Sequence, residues 1–277
     1  MNTLMPQFSI DKLPVRRFDM SKMVNALRNA DEIDGLESID INAPEHLKHY
    51  FANGSYVREM IMPANALIVG RIHKRETINI LLEGELTVID EHGNKKDLKA
   101  PHVFIAPAGN QKAAYTKTPI RWLNCFACET TDPDEALELL TCETIEEYNQ
   151  YIDKQDVKLL TSDLGYTDKS MLKLIESEDV ALDNNWDVYL CESAINGTGL
   201  FAGSKFVIGD FIAPMRIEAK RSIAGRYTNH SLTPNSKPKL VDGVLSLMCK
   251  KIILEHEEIT CNYREVLKLR QEQGELL

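Results

Sequence analysis

From residue 55 to residue 128 the apolar residues come in short runs, each closed by Gly, Pro or Asn: SYVREMIMP, NALIVGRI, TINILLEGELTVI, HVFIAP and IRWLNCFAC. Such runs are the length of strands, not of packed helices, and the residues between them are those that turn a chain. A small antiparallel β unit is predicted here. EHGN, 91–94, reads as a tight turn between ELTVI and the polar strand that follows. Strand-like runs dominate again beyond residue 183, in WDVYLCES, KFVIGDFIA, PKLVDGVLSLMCK and IILEHEEITC.

Between these β-rich stretches the period changes. Asp132 is placed to cap a helix beginning at Pro133, where proline's missing N–H costs nothing. Leu137, Leu140, Ile145, Tyr148 and Ile152 then recur at helical spacing, with a break expected near Thr141. Glu138, Glu143, Glu146, Glu147 and Asp153 are read as an acidic outer face. The polar run KLLTSDLGYTDKS, 158–170, reads as a linker. A shorter helix is expected over 19–30, with Met20, Met23, Val24 and Leu27 as its apolar stripe, and another over YREVLKLRQEQGELL at the end. A chain of 277 residues is long enough for two ordinary domains. The expected division is 1–157, a linker over 158–182, and 183–277.

Charge and cysteine content narrow the class. The formal net charge of −10 argues against a nucleic-acid partner, since phosphate recognition needs a basic footprint. Arg216, Lys220, Arg221 and Arg226 cluster locally, either as solvated surface or as an anion-facing patch. Cys125, Cys128, Cys142, Cys191, Cys249 and Cys261 contain one CxxC spacing and no second, which gives a four-cysteine zinc site no framework. Buried free thiols in a reducing compartment are expected. The first residues lack a secretory apolar core and no window has eighteen apolar residues, so a cytoplasmic protein without a membrane span is expected.

The segment RIHKRETINILLEGELTVIDEHG, 71–93, followed by VFIAPAGNQKAAY, 103–115, resembles the cupin family of small β-barrels. The resemblance implies a metal held by three histidines and a glutamate. At those positions stand Arg71, His73, Thr77 (with Glu76 beside it) and Lys112. Two cationic side chains repel a cation and supply no lone pair. No metal is therefore expected, and His73 is either a hydrogen-bonded barrel residue or, with Arg71 and Lys112, part of a holder for an anion.

Three separated segments, in order, resemble the SET-domain family: INGTGLFAGSKFVIGDFI at 195–212, RYTNHSLTPNS at 226–236 and EEITCNY at 257–263. The resemblance implies S-adenosyl-L-methionine as cofactor, bound through Gly197, Gly199, Phe201, Arg226, Tyr227, Asn229 and His230. It implies Tyr263 as the catalytic residue and Cys261 as lining the substrate channel. Plainer roles stand beside these: a glycine hairpin, a structural histidine hub and a core tyrosine. Only IAPMRIEAKRSIAG, 212–225, separates the first two segments, where the family has a longer insert that forms part of the substrate groove.

The expectation is thus a mainly β protein: a cupin-like small β-barrel, a helical connector and a compact SET-like β-fold. It implies a protein-lysine N-methyltransferase acting on a lysine-bearing protein, with self-association through the cupin-like domain. The rival expectation is a non-catalytic interaction or assembly protein, such as a virus would carry, built on degenerate cupin-like and SET-like modules.

Overall fold

The computed structural model describes residues 40–163, 179–183, 185–217 and 220–272, together with Met20 and Val24. Most of the helix expected over 19–30 and of the linker expected over 158–182 lies outside these residues. The chain divides into two compact units, Met1–Tyr148 and Asn149–Leu277.

In the first unit two antiparallel sheets pack face to face. One has the order β1 (Leu47–Ala52), β2 (Ser55–Met62), β10 (Ile120–Ala127), β5 (Thr77–Glu83), β8 (His102–Ala106). The other runs β3 (Leu67–Val69), β9 (Lys112–Thr116), β6 (Glu85–Asp90), β7 (Lys95–Lys99). Strand alternation sorts the side chains. Thr77, Asn79 and Leu81 of β5 are buried, while Ile78 and Leu82 are exposed. Met62, Leu81, Ile120 and Trp122 of the first sheet meet Ile68, Leu86, Val88 and Leu98 of the second in one apolar core. Full burial of each such aliphatic side chain is worth about 1.5–3 kcal/mol. Gly84, with φ +86, turns the chain from β5 into β6, and a Cβ there would lie 2.1 Å from the Pro119 carbonyl oxygen. The outer face of β8 is apolar, with Val103 62% and Ile105 67% exposed.

The expected helices form on either side of Thr141. Helix α1 (Pro133–Leu140) is capped by Asp132, whose side chain accepts from the Glu135 N–H at 2.9 Å. The break is a short strand, β11 (Thr141–Cys142), paired with β4 (Ile72–His73). Helix α2 (Ile145–Asp163) follows, so residues 158–163, read as linker, are helical.

The second unit holds the sheet β12 (Val188–Glu192), β13 (Thr198–Ala202), β20 (Glu258–Cys261), β17 (Asn229–His230), and the sheet β14 (Phe211–Pro214), β19 (Val244–Cys249), β18 (Ser236–Val241). A short hairpin pairs β15 (Arg216–Ile217) with β16 (Lys220–Arg221). Helix α3 (Ile223–Tyr227) leads into β17, and helix α4 (Tyr263–Glu272) follows β20. Leu200, Ile212, Leu247, Ile253 and Ile259 make the centre of the core. All six cysteines are free; Cys128, Cys142, Cys249 and Cys261 are buried, but Cys125 is half-buried and Cys191 is exposed. The expectation of buried thiols fails at Cys191 because β12 is an edge strand.

Candidate functional site

Strand β20 is where the three SET-like segments meet. On one edge it pairs antiparallel with β13, Leu200 opposite Ile259. On the other it pairs parallel with β17, Asn229 opposite Thr260 and His230 opposite Cys261. The loop after β17 extends this edge without being a strand. Ser231 N–H donates to the Cys261 carbonyl at 3.0 Å. The Asn235 side chain donates to the Glu258 carbonyl at 2.7 Å and accepts from the Thr260 N–H at 2.9 Å, the two bonds a neighbouring strand would supply. Ser236 Oγ donates to the Thr260 carbonyl at 2.8 Å. This explains chemically why an asparagine follows the proline of NHSLTPN.

A polar knot forms where Gly199, Asn229 and Glu258 approach. The Asn229 amide donates to Glu258 Oε1 at 2.8 Å, to Ser193 Oγ at 2.9 Å and to the Asn196 carbonyl at 3.2 Å. Ser193 Oγ donates to the same carboxylate, 2.8 and 2.9 Å from its oxygens. A Cβ on Gly199 would lie 2.4 Å from Glu258 Oε1, so only glycine lets this carboxylate rest against β13. Gly197 has φ +51 and open space where its Cβ would stand.

His230 and Tyr263 form the second half of the site. The Tyr263 N–H donates to His230 Nδ1 at 3.2 Å, which places the imidazole proton on Nε2. Nε2 lies 3.2 Å from Asp156 Oδ2, at ion-pair distance but off-line for a hydrogen bond. Burial pushes the His230 pKa down, against the attraction of Asp156 and Asp153. Asp156 also binds Arg264, with Nη2 2.7 Å from Oδ1. Asp153 accepts the Leu232 N–H at 2.8 Å, and burial raises its pKa. Asp153 was read as part of an acidic outer face; it is buried, because its carboxylate serves a loop N–H. The Tyr263 hydroxyl donates to the Thr228 carbonyl at 3.1 Å. Burial, before all other causes, raises its pKa and keeps the phenol protonated.

The remaining predicted residues lie around this centre. Phe201, half-buried on β13, stacks on Tyr189 with centroids 5.8 Å apart. Arg226 pairs with Asp179, and Arg226 and the half-buried Tyr227 end the short helix that precedes Asn229. The Cys261 side chain is fully buried in the apolar core, its thiol pKa pushed up to about 12 by desolvation. The sequence motifs do not point to Ser193, Asp156 or Glu258 as site residues, and Asp153 is expected only as surface. Asp153, Asp156 and the buried Leu160 recur at helical spacing on one face of α2, a signal that was there to be read.

In the first unit, the residues at the cupin metal positions are engaged with one another and with neighbours. His73 Nδ1 lies 3.0 Å from Thr77 Oγ1, Arg71 pairs with Glu143 at 2.9 Å, and Lys112 Nζ donates to Asn110 Oδ1. Burial, reinforced by Lys112 and Arg58, drives the His73 pKa down to about 3. Among the described residues no cluster of His, Cys, Asp and Glu is arranged to hold a metal ion.

The SET-domain signature matches residues 69–264, well over half of the chain. The protein belongs to the SET-domain family. The match begins within the first unit, far upstream of the three motifs. No curated protein matches the sequence. Similar solved structures include a putative ethanolamine utilization protein Q from Salmonella typhimurium, 25% identical over 30% of this chain and 69% of that one, with TM-score 0.27. The cupin domain of Schizosaccharomyces pombe Cnp3 is 22% identical over 34% of this chain and 69% of that one, with TM-score 0.27. An RmlC-like cupin family protein with a double-stranded β-helix fold from Methanocaldococcus jannaschii is 10% identical over 35% of this chain and 93% of that one, with TM-score 0.27.

Proposed function

We propose that the second unit is an S-adenosylmethionine-dependent protein-lysine N-methyltransferase, acting in the cytoplasm on a lysine-bearing protein. The observation that supports this reading is the meeting of the glycine segment, the Asn229–His230 pair and Tyr263 around β20. The residues fit the amino-acid end of the cofactor. Gly197 leaves room beside its loop, while the Glu258 carboxylate and the Asn196 carbonyl are acceptors suited to an ammonium group. Gly197, Asn229 and Glu258 would hold it there. When bound, the sulfonium cofactor supplies an activated methyl group.

The chain's own part is positional. Tyr263 stays a neutral phenol, so it orients partners as a fixed dipole and does not take a proton from the amine. The acceptor amine must therefore arrive unprotonated. Asp156 fixes the imidazole whose Nδ1 holds the Tyr263 backbone, so the buried pair sets where the phenol stands.

Calorimetry with S-adenosylhomocysteine tests the reading without needing the acceptor. Wild type should bind, and Asn229→Ala should weaken binding tenfold or more, as leaving buried polar groups unpaired costs about 1–3 kcal/mol. A wild-type protein with no binding would reject it. One observation favours the rival, non-catalytic reading: between Ile212 and Gly225 the chain buries Ile212, Ala213, Pro214 and Met215, residues that an open groove would leave accessible. A protein that fails to bind the cofactor yet forms a stable assembly is the outcome that reading requires.

A further inference from the structure

The first unit holds a partly open cavity of about 310 Å³, at the lower end of the roughly 300–1,000 Å³ of small-molecule sites. All its lining residues lie within that unit. Arg58, Arg71 and Lys112 line it, beside Asn79, Asn124 and Trp122. A chain of net charge −10 thus turns three cations onto one cavity.

The two arginines are poorly answered. The Arg58 side chain makes no ion pair or hydrogen bond among the described residues. Its pKa is lowered by burial and, secondarily, by the neighbouring Arg71. Arg71 gives one arm to Glu143 at 2.9 Å, but its buried Nε has no hydrogen-bond partner. Lys112 Nζ touches the Asn110 side-chain oxygen and the Phe104 ring, its centroid 5.4 Å away, and burial lowers its pKa against the attraction of Glu91 and Asp90. The nearby Glu91 is occupied in turn by the Asn110 amide. Burying cations without counter-charges opposes folding. A purely structural guanidinium at position 58 would be expected to bind carbonyls or a carboxylate, and it binds neither.

The rest of the wall is suited to an organic body. Asn124 donates to Asn79 Oδ1 at 2.8 Å, and Asn79 donates to the Thr77 carbonyl at 2.9 Å. The two amides are thereby fixed beside the apolar wall of Trp122, Met60, Ile68 and Val88. Guanidinium groups favour planar or multivalent oxyanions because their N–H donors match two acceptor oxygens at once.

We infer that this cavity binds a small organic anion, a carboxylate or a phosphate monoester, whose charged end is held by Arg58, Arg71 and Lys112 and whose body lies against Trp122. The inference is independent of methyl transfer by the second unit.

The test uses the full chain, with calorimetry and Trp122 fluorescence as readouts. Benzoate and phenyl phosphate represent the two sources of negative charge, benzamide is a neutral mimic, and inorganic phosphate is a headgroup without a body. Saturable binding of benzoate or phenyl phosphate, at least tenfold tighter than benzamide or inorganic phosphate, is expected; the tighter of the two names the class. Arg58→Gln and Lys112→Gln should each weaken it at least tenfold, and Lys99→Gln, on an exposed pair with Glu85, should not. Arg58→Gln should melt at or above the wild-type temperature, since it removes a half-buried charge that no acid pairs with among the described residues. The inference is overturned if neither anion saturates, if Arg58→Gln binds like wild type, or if that variant unfolds, which would make Arg58 structural.

Discussion

Asp156→Ala is expected to destabilise the second unit by about 2–4 kcal/mol. Asp156 is 5% exposed and serves two partners whose environments differ. The His230 side chain is 2% exposed, so without the carboxylate 3.2 Å away its buried Nε2–H loses its one electrostatic compensation among the described residues, about 1–3 kcal/mol. The Arg264 side chain is 31% exposed and can turn to water, so its pair adds only about 1 kcal/mol. Alanine returns a few tenths through helix propensity. For a unit of this size the sum corresponds to a fall in melting temperature of roughly 5–12 °C, measurable by calorimetry and urea titration. Asp156→Asn keeps an acceptor oxygen and should lose clearly less than Ala. A double-mutant cycle with His230→Phe should return a coupling of at least about 1 kcal/mol. An Ala variant within about 0.5 kcal/mol of wild type, or an Asn variant as damaged as Ala, would show that the buried pair does not hold the histidine.

Two further outcomes follow from the same physics. Tyr263→Phe keeps the ring and loses the bond to the Thr228 carbonyl, so turnover should fall roughly tenfold to a thousandfold while S-adenosylhomocysteine affinity holds; labelled-methyl transfer across a peptide array reads it, and full transfer would remove Tyr263 from the reaction. The depressed pKa of His73 means that the unfolded chain takes up its proton first, so stability is full above pH 6.5 and falls as pH drops from 6.5 towards 3, by at most on the order of 4 kcal/mol; His73→Gln should flatten that limb in pH-dependent urea melts, and an unchanged limb would assign it to other groups.

The β architecture was legible because the apolar runs from 55 onward are of strand length and are punctuated by Gly, Pro and Asn. The capped helix at Asp132 was legible for the same local reason. The meeting of Asn229, His230 and Tyr263 could be expected from motif order, but not the residues that hold them. Asp153 and Asp156 sit on a polar helix, where acids are ordinarily solvated, and only the loop at Leu232 and the ring of His230 give them buried partners. Arg58 was missed because SYVREMIM reads as an ordinary mixed strand. In the observed register Tyr56, Arg58, Met60 and Met62 share a face, which places a cation where the pattern asks for an apolar residue. Glu59 is the reverse: it is 1% exposed, taken up by Tyr50 at 2.6 Å and by Arg121.

Strand β20 lies between β13 and β17 in space but follows both in the chain. During synthesis, β13 and β17 emerge without the element that joins them, and the Asn235 side chain has no backbone to bind until Glu258 and Thr260 have left the ribosome. The glycine segment and the Asn229–His230 pair therefore gain their shared neighbour in one late event, at high sequence separation, which makes closure slow relative to local hairpins. A nascent chain ending before residue 257 would carry most of the unit's core, and Gly199, Asn229 and His230 without the strand that brings them together. Quality control that samples the chain at that stage meets exposed strand edges, and the polar centre around β20 is completed only together with the fold.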